Sequence, residues 1–477
     1  MLNAANAAFA ETLANAGIKT RAATPNYLVD QRGNHEGIGE VVALPAATEE
    51  VARIVKLCAE ARVGIVPYGG GTGLVVGHIA PNGPTPLILS MEKMTAIRAV
   101  YPEEYTLIAE AGVILSDLHA AAEQANRLFP LTYGSKDSAR IGGGLAVNSG
   151  GLNVLRYGTA RDLCLGIEAV LPNGEILHGL KRLRKDNTGY DLRNLLIGAE
   201  GTLGIITAAA LKLHPRPANT ATAFLTTPNP VAALSLLSLF AAQTDNTVSG
   251  FELIPAQSYL FLEETFPDLH LPFETPPDWS VLVELGTGPA TDAQALLTDI
   301  FELALAQGLT ADGQIAQSAQ QRDAFWAIRE TIPLANRRIG AIASHDIALP
   351  LGAVDSFMTE AKAAIEALLP DCRINAFGHL GDGNLHYNVF PPNGQKRDAY
   401  MHHSKEITRI VFDLTLAKGG TFSAEHGIGR LKAGELANRG DPAKLDAMRA
   451  IKTALDPLGI MNPGACLDAL PTGFVRY

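Results

Sequence analysis

Pro67-Tyr68-Gly69-Gly70-Gly71-Thr72-Gly73-Leu74 is the stretch on which the reading of this chain turns. Closely spaced glycines let a backbone approach a ligand and point its amide N–H groups at a phosphate. A short β-branched strand, Val63 to Val66, feeds the loop. Upstream, Thr48 is placed to cap a helix with Glu49 and Glu50 in its first turn, and Val51, Ile54, Val55 and Cys58 follow at helical spacing. Beyond the loop, the turn cluster Pro81-Asn82-Gly83-Pro84 leads to a second strand, Leu87-Ile88-Leu89, giving a β-α-β beginning. The loop is not a dinucleotide fingerprint, because Val75-Val76-Gly77-His78 runs into a turn instead of opening a helix. Nor is it a P-loop, since no Gly-Lys-Ser/Thr follows. By itself it reads equally well as a tight turn between strands.

A second glycine-rich segment shifts that balance: Ile141-Gly142-Gly143-Gly144-Leu145-Ala146-Val147-Asn148-Ser149-Gly150-Gly151. It follows a helix expected from Ser116 to about Leu128. A third backbone-exposing segment is Glu200-Gly201-Thr202-Leu203-Gly204-Ile205-Ile206. Strands are expected at Ile167–Leu171 and Gly204–Leu213, with a hairpin-type turn at Pro172-Asn173-Gly174. Pro215-Arg216-Pro217 marks a boundary. Past it, strands such as Ala221–Leu225 and Val281–Glu284 alternate with helices at Val231–Ala242, Thr291–Gln307, Val354–Leu369 and Asp398–Lys418, the pattern of an α+β domain.

The 477 residues suffice for two or three domains. With 47% hydrophobic and 18% charged residues the composition is that of a globular protein. A net charge of -11, with no basic run beyond Lys181-Arg182-Leu183-Arg184-Lys185, argues against a nucleic-acid partner. Cys58, Cys164, Cys372 and Cys466 are scattered without CxxC spacing, as for structural thiols in a reducing compartment. Met1 to Lys19 reads as a short amphipathic helix, and no run reaches the length of a membrane span. The expectation is a cytoplasmic protein able to dock at a membrane periphery.

The C-terminal half carries Gly378-His379-Leu380-Gly381-Asp382-Gly383-Asn384-Leu385-His386-Tyr387-Asn388 and, further on, Ser423-Ala424-Glu425-His426-Gly427. Glycines imply a turn after His379, and Leu385 to Val389 alternates like a strand, so His386 and Asn388 project from one face. His379, His386 and Glu425 supply three good divalent-metal ligands and leave a position open, as in catalytic sites. Spacing alone does not fix that geometry, since no local motif such as HExxH is present. The scattered histidines elsewhere are read as packing or surface residues.

The glycine segments, with Tyr157-Gly158 and Gly198-Ala199-Glu200-Gly201-Thr202-Leu203-Gly204-Ile205, resemble the FAD-binding domain of the vanillyl-alcohol oxidase / p-cresol methylhydroxylase superfamily. The resemblance implies that the first loop wraps the pyrophosphate, the second lies along the ribityl chain and isoalloxazine, and the third holds the adenine side. The FAD residues implied are Pro67, Gly69, Gly70, Gly71, Thr72, Gly73, Leu74, Ser135, Ser138, Gly142, Gly143, Ala146, Ser149, Gly150, Tyr157, Gly158, Glu200, Gly201, Gly204, Ile205, Ile206 and Asn462. No histidine or cysteine lies within Gly69–Leu74, where several relatives attach flavin, so the resemblance implies non-covalent FAD.

The C-terminal motifs are similar to those of flavin-linked D-2-hydroxyacid dehydrogenases, a group that includes D-2-hydroxyglutarate dehydrogenase, cytochrome-type D-lactate dehydrogenase and the flavin subunit of glycolate oxidase. The likeness runs from about Val41 to Gly464. It implies a zinc or manganese ion on His379, His386 and Glu425, His426 as catalytic base, Asn388 as a substrate-binding amide, and Arg329 as the grip on the substrate carboxylate. Two positions depart from it. Ser344, before His345-Asp346, stands where many hydroxyglutarate-type relatives have a lysine, and Ala465 follows Asn462-Pro463-Gly464 where a lysine is usual.

The expected architecture is α+β: a PCMH-type FAD-binding domain of two α+β subdomains (1–217), a cap domain with an antiparallel sheet (218–426), and a C-terminal helical segment (427–477) returning to the FAD domain. The expected activity is oxidation of a D-2-hydroxyacid such as D-lactate or D-2-hydroxyglutarate to the 2-oxoacid, with electrons passed to a quinone, a cytochrome or an electron-transfer flavoprotein. A homodimer is compatible with the composition. The alternatives are a flavin oxidase using oxygen and a non-catalytic electron-transfer subunit.

Overall fold

The computed structural model describes residues 1–467. The chain divides into two units, one made of Met1–Gly151, Gly158–Arg216 and the stretch from Glu425 onward, the other of Leu152–Tyr157 and Pro217–Ala424. The break at Pro217 falls in the proline cluster that the sequence singles out.

In the first unit a four-stranded sheet runs in the order Thr20–Ala22, Val41–Ala43, Leu87–Ser90, Ile65–Tyr68, its last three strands parallel. Parallel strands need crossovers. One is the helix Thr48–Ala61, which buries Val51, Ile54, Val55 and Cys58 in the unit's core. Thr48 does not cap it as expected. Ala47 holds the cap position, and the Thr48 hydroxyl donates instead to Glu168 Oε1 at 2.6 Å. The C-terminal stretch joins this layer, where Ile65 N–H bonds Ile460 O and Asn462 N–H bonds Ile65 O.

A five-stranded antiparallel sheet completes the unit, in the order Ile97–Tyr101, Thr106–Glu110, Ile205–Lys212, Cys164–Val170, Ile176–Gly179. The helix expected to reach Leu128 stops at Gln124, because Asn126 takes a left-handed backbone (φ 54°) and Arg127–Leu128 is a short strand. The second glycine segment, expected as a loop, is a helix over Ile141–Val147. Three glycines disfavour a helix by about 1 kcal/mol each, but packing requires one of them. A Cβ on Gly142 would lie 2.6 Å from Ala111 Cβ.

The second unit is built on a seven-stranded antiparallel sheet. Its order is Gly313–Ile315, Asn219–Thr227, Trp279–Thr287, Val248–Pro255, Arg373–His379, Asn384–Phe390, Ala343–Ala348. Register fixes what shares a face, because directly paired residues project together. One row runs Phe224, Leu282, Glu252, His379. Later rows on the same face run Phe377, His386, Asp346 and Asn375, Asn388, Ser344. Helices Ala256–Thr265 and Ala319–Ile339 cover the apolar part of this face, enclosing Phe224, Ile254, Leu282, Phe325, Ile328 and Phe377. The opposite face packs under four helices, marked by ring contacts Phe240–Phe251, Phe357–Tyr387 and His345–Phe412. His345 therefore points away from its neighbour Asp346. The segment expected as one helix from Asp398 begins as a 3-10 stretch (Arg397–His403) before the α-helix Ser404–Ala417.

Candidate active site

In the first unit the three glycine segments converge by backbone contact. A Cβ on Gly70 would run into the Ser138 carbonyl, at the turn where Ser138 N–H bonds Ser135 O. A Cβ on Gly69 would lie 3.5 Å from Gly143 Cα. Gly198 and Glu200 donate their N–H groups to Leu145 O and Ala146 O, and a Cβ on Gly201, at φ +70°, would meet Pro67. Gly143 itself faces open space, since its Cβ would meet nothing nearer than Gly69 Cα at 4.0 Å. A backbone cradle floored by Gly69 and Gly143, with the loop residues Gly71, Thr72, Gly73 and Leu74 beside it, fits a phosphate-bearing group.

Some implied cofactor residues have internal partners. Both Glu200 carboxylate oxygens accept backbone N–H groups, Ile428 at 2.7 Å and Gly429 at 2.8 Å. The Asn462 amide donates to Gly77 O and Glu200 O. Arg430, unmentioned by the sequence reading, donates to Val76 O, Gly77 O, Asn462 Oδ1 and Pro463 O. These residues fasten the C-terminal stretch to the first and third glycine segments. Ser149 and Gly150 are buried just past the glycine helix, Gly204 sits beside the Val170 carbonyl, and Ile205 and Ile206 lie in the central strand. Gly158 takes φ +80°, where a Cβ would strike Asp162, and Tyr157 ends the short excursion into the second unit. His78 closes the far side of the first loop, 5.7 Å from the Tyr68 ring, and burial depresses its pKa to about 4. Glu425 and His426 also belong to this unit, with His426 Nε2 lying 3.8 Å from Glu425 Oε1.

The second unit brings together Arg329, His379, His386 and Asn388, and adds two residues the sequence reading missed. Glu252, fully buried in the strand Val248–Pro255, accepts Arg329 Nε–H on Oε2 and pairs with His379 Nδ1 through Oε1, each at 2.6 Å. Burial alone would raise this carboxyl, but Arg329 and His379 outweigh it and hold the pKa near 2. The Arg329 guanidinium also lies over the Phe377 ring at 4.7 Å. Phe377 is 5.2 Å from the His386 ring, which is 5.6 Å from that of His379. Arg329, Glu252, His379, His386 and Phe377 thus form a closed ring of contacts. Asp346, the other missed residue, stands 4.0 Å from His386 Nδ1 and accepts from the Asn384 amide. The Asn388 amide nitrogen donates to His386 O and Asn375 O, which leaves Oδ1 as the group it can offer. On the same face Glu284 accepts from Thr222 and Trp326.

Comparison with known proteins fits this architecture. Residues 39–179 match the family described as "FAD binding domain", and residues 216–466 match "FAD linked oxidases, C-terminal domain". Among solved structures, p-cresol methylhydroxylase with substrate bound superposes with a TM-score of 0.76 at 16% identity, over 98% of this chain and 99% of that one. The two family matches place the chain among FAD-dependent oxidoreductases, and the superposition gives it the PCMH-type fold. The mitochondrial D-2-hydroxyglutarate dehydrogenase of Bos taurus is 36% identical over 91% of this chain and 78% of its own length. The D-2-hydroxyglutarate dehydrogenase of Stutzerimonas stutzeri is 34% identical over 90% and 91%. The chain belongs to the D-2-hydroxyglutarate dehydrogenase family. A Saccharomyces cerevisiae relative, D-2-hydroxyglutarate--pyruvate transhydrogenase, is 31% identical over 91% of the chain and 88% of its own. Among the described residues no helix is long and apolar enough to cross a membrane.

Proposed function

We propose that this chain oxidises D-2-hydroxyacids to 2-oxoacids, with D-2-hydroxyglutarate, the acid in its relatives' names, as first candidate. The observation that supports this most directly is the ring in the second unit, where one guanidinium able to grip a carboxylate is locked beside two imidazoles on the same sheet face. FAD supplies the hydride acceptor that protein side chains lack. Arg329 uses Nε on Glu252, so its two Nη groups are the fork for the substrate C1 carboxylate. His379, His386 and Glu425 would hold a divalent metal, zinc or manganese. The His379 donor set fits such an ion, because a ligating imidazole commonly gives its other ring nitrogen to a carboxylate, here Glu252. Such an ion would supply Lewis acidity that makes the substrate hydroxyl a better proton donor. His426 takes that proton, a role for which imidazole is suited near neutral pH. Asn388 Oδ1 is an acceptor for the hydroxyl before transfer. Bound FAD would then need an external acceptor, a quinone, a cytochrome or an electron-transfer flavoprotein, to be reoxidised.

A second reading, a monocarboxylic substrate such as D-lactate, is favoured by the charges on the same face. Glu252, Glu284 and Asp346 put three carboxylates on the face that carries Arg329, and Ser344, opposite Asn388, brings no cation. Anaerobic bleaching of the flavin by D- and L-2-hydroxyacids, before and after chelation, tests both readings. Bleaching by D-acids that chelation abolishes and zinc or manganese restores is expected. The rank of D-2-hydroxyglutarate against D-lactate chooses between substrates. Metal-replete protein that no 2-hydroxyacid bleaches would overturn the proposal.

A further inference from the structure

We infer that Glu252 is a positioning residue that couples the substrate grip to the metal ligand, holding Arg329 and His379 with the two oxygens of one carboxylate. The inference rests on the functional reading above for what Arg329 and His379 do, and on geometry within one unit for what Glu252 does to them.

Three features set the arrangement apart from an ordinary buried ion pair. The first is its division. Oε2 takes Nε–H of Arg329 and Oε1 faces Nδ1 of His379, both at 2.6 Å, so neither partner can move without disturbing the other's oxygen. The second is which atoms are engaged. An ionised carboxylate only accepts, so His379 donates from Nδ1, and Nε2 is the ring nitrogen that would serve a metal. Arg329 is bound through Nε, the nitrogen least suited to an end-on carboxylate, and the Phe377 ring at 4.7 Å fixes the guanidinium plane. The third is burial. Glu252 is 0% and Arg329 4% exposed, so water cannot substitute for either bond. A glutamate in the otherwise uncharged strand Val248–Pro255 would be costly if it served neither partner.

The consequence is specific. Glu252→Gln keeps size and shape, but its amide can accept from one partner only while donating to the other. Accepting from Arg329 Nε, it presents N–H to His379 Nδ1 and drives the ring proton to Nε2, where it blocks a metal. Glu252→Asp keeps the charge and loses the reach to hold both partners. Glu252→Gln should weaken zinc binding to the chelator-stripped flavoprotein about 10- to 100-fold. It should also raise KM for the 2-hydroxyacid at least as strongly as it lowers kcat, with the flavin spectrum retained. Glu252→Asp should recover part of one effect and less of the other. Unchanged zinc affinity, or unchanged KM, in folded Glu252→Gln protein would overturn the coupling.

Should that variant not fold, the metal-free wild-type protein decides. In nitrogen-15 spectra of histidine-labelled protein, with the His379 signal assigned by its loss in His379→Gln, the proton is expected on Nδ1. A proton on Nε2 would overturn the inference. Wild-type protein that neither binds zinc nor oxidises any hydroxyacid, yet shows His379 protonated on Nδ1, would sink the functional reading and with it the coupling, leaving only the hold of Glu252 on His379.

Discussion

Alanine at Gly143 separates helix packing from cofactor space, because the two respond with opposite sign. Gly143 lies inside the helix Ile141–Val147, and a Cβ there meets nothing closer than Gly69 Cα at 4.0 Å. Alanine is favoured over glycine in a helix interior by about 1 kcal/mol, so FAD-free Gly143→Ala should be more stable by about that amount. Its neighbour behaves differently. At Gly142 the added methyl sits 2.6 Å from Ala111 Cβ and 2.9 Å from Ala111 O, and relieving it moves the helix off the strand end it bonds through Gly142 N–H. Overpacking of that kind costs about 1–3 kcal/mol, which outweighs the helical gain, so Gly142→Ala should be less stable than wild type. If the Gly69–Gly143 face is where the FAD phosphates and ribityl chain lie, the Gly143→Ala methyl occupies their space. FAD affinity should then fall by a factor of ten or more, about 1.4 kcal/mol. Urea unfolding of the FAD-free proteins and FAD titration followed by flavin fluorescence measure both quantities. Gly143→Ala protein that binds FAD within twofold of wild type would refute the assignment of that face. Equal stability of the two variants would refute the packing argument.

Arg329→Lys replaces a planar fork and its Nε–H by one ammonium, which cannot hold Glu252 and a carboxylate together, so KM should rise about tenfold; an unchanged KM would place the carboxylate grip elsewhere. His426→Ala should lower turnover by about 10²–10⁴-fold, the usual worth of a general base, with FAD still bound; near wild-type turnover would remove His426 from the proton transfer. Burial holds the His78 ring at a pKa of about 4 against an ordinary 6.5, so it stays neutral in the fold while the unfolded chain takes up a proton below pH 6.5. Stability should therefore fall as pH drops from 6.5 towards 4, by about 2 kcal/mol at pH 5 from this one group. Denaturant unfolding of FAD-free His78→Asn should show a correspondingly flatter acid limb, and an unchanged limb would refute the assignment.

What the sequence made legible was contiguous. The first glycine loop and the turn and strand of the His379–Asn388 segment each lie in one run, and local rules read them. What it hid was either conformational or distant in the chain. Three adjacent glycines speak for a loop, and only the close approach to Ala111 explains a helix there. Glu252 lies 127 residues before His379 and is joined to it only by strand pairing. A signal was nonetheless present. Val248-Ser249-Gly250-Phe251-Glu252-Leu253-Ile254-Pro255 is a buried run with a single charge, and a charge in such a run requires a partner. Arg430 was hidden differently, since it lies four residues past His426 and binds backbone carbonyls, which carry no sequence signature.

A half-buried carboxylate with several partners does not by itself mark a site, as Glu168 illustrates. Glu168 accepts from Thr48, Arg98 and Thr207, joining a helix to two strands, and those bonds lower its pKa against the opposing effect of burial. Its partners, however, are groups at the end of their chemistry. Two hydroxyls donate their one proton, and Arg98 divides its guanidinium between Glu168 and Glu110. Glu252 binds partners that each keep a second function, a guanidinium with its Nη edge in reserve and an imidazole with another ring nitrogen. The strand register then sets both beside His386 and Phe377 on the face where the sheet changes from apolar to polar. The criterion that separates the two carboxylates is therefore what their partners can still do.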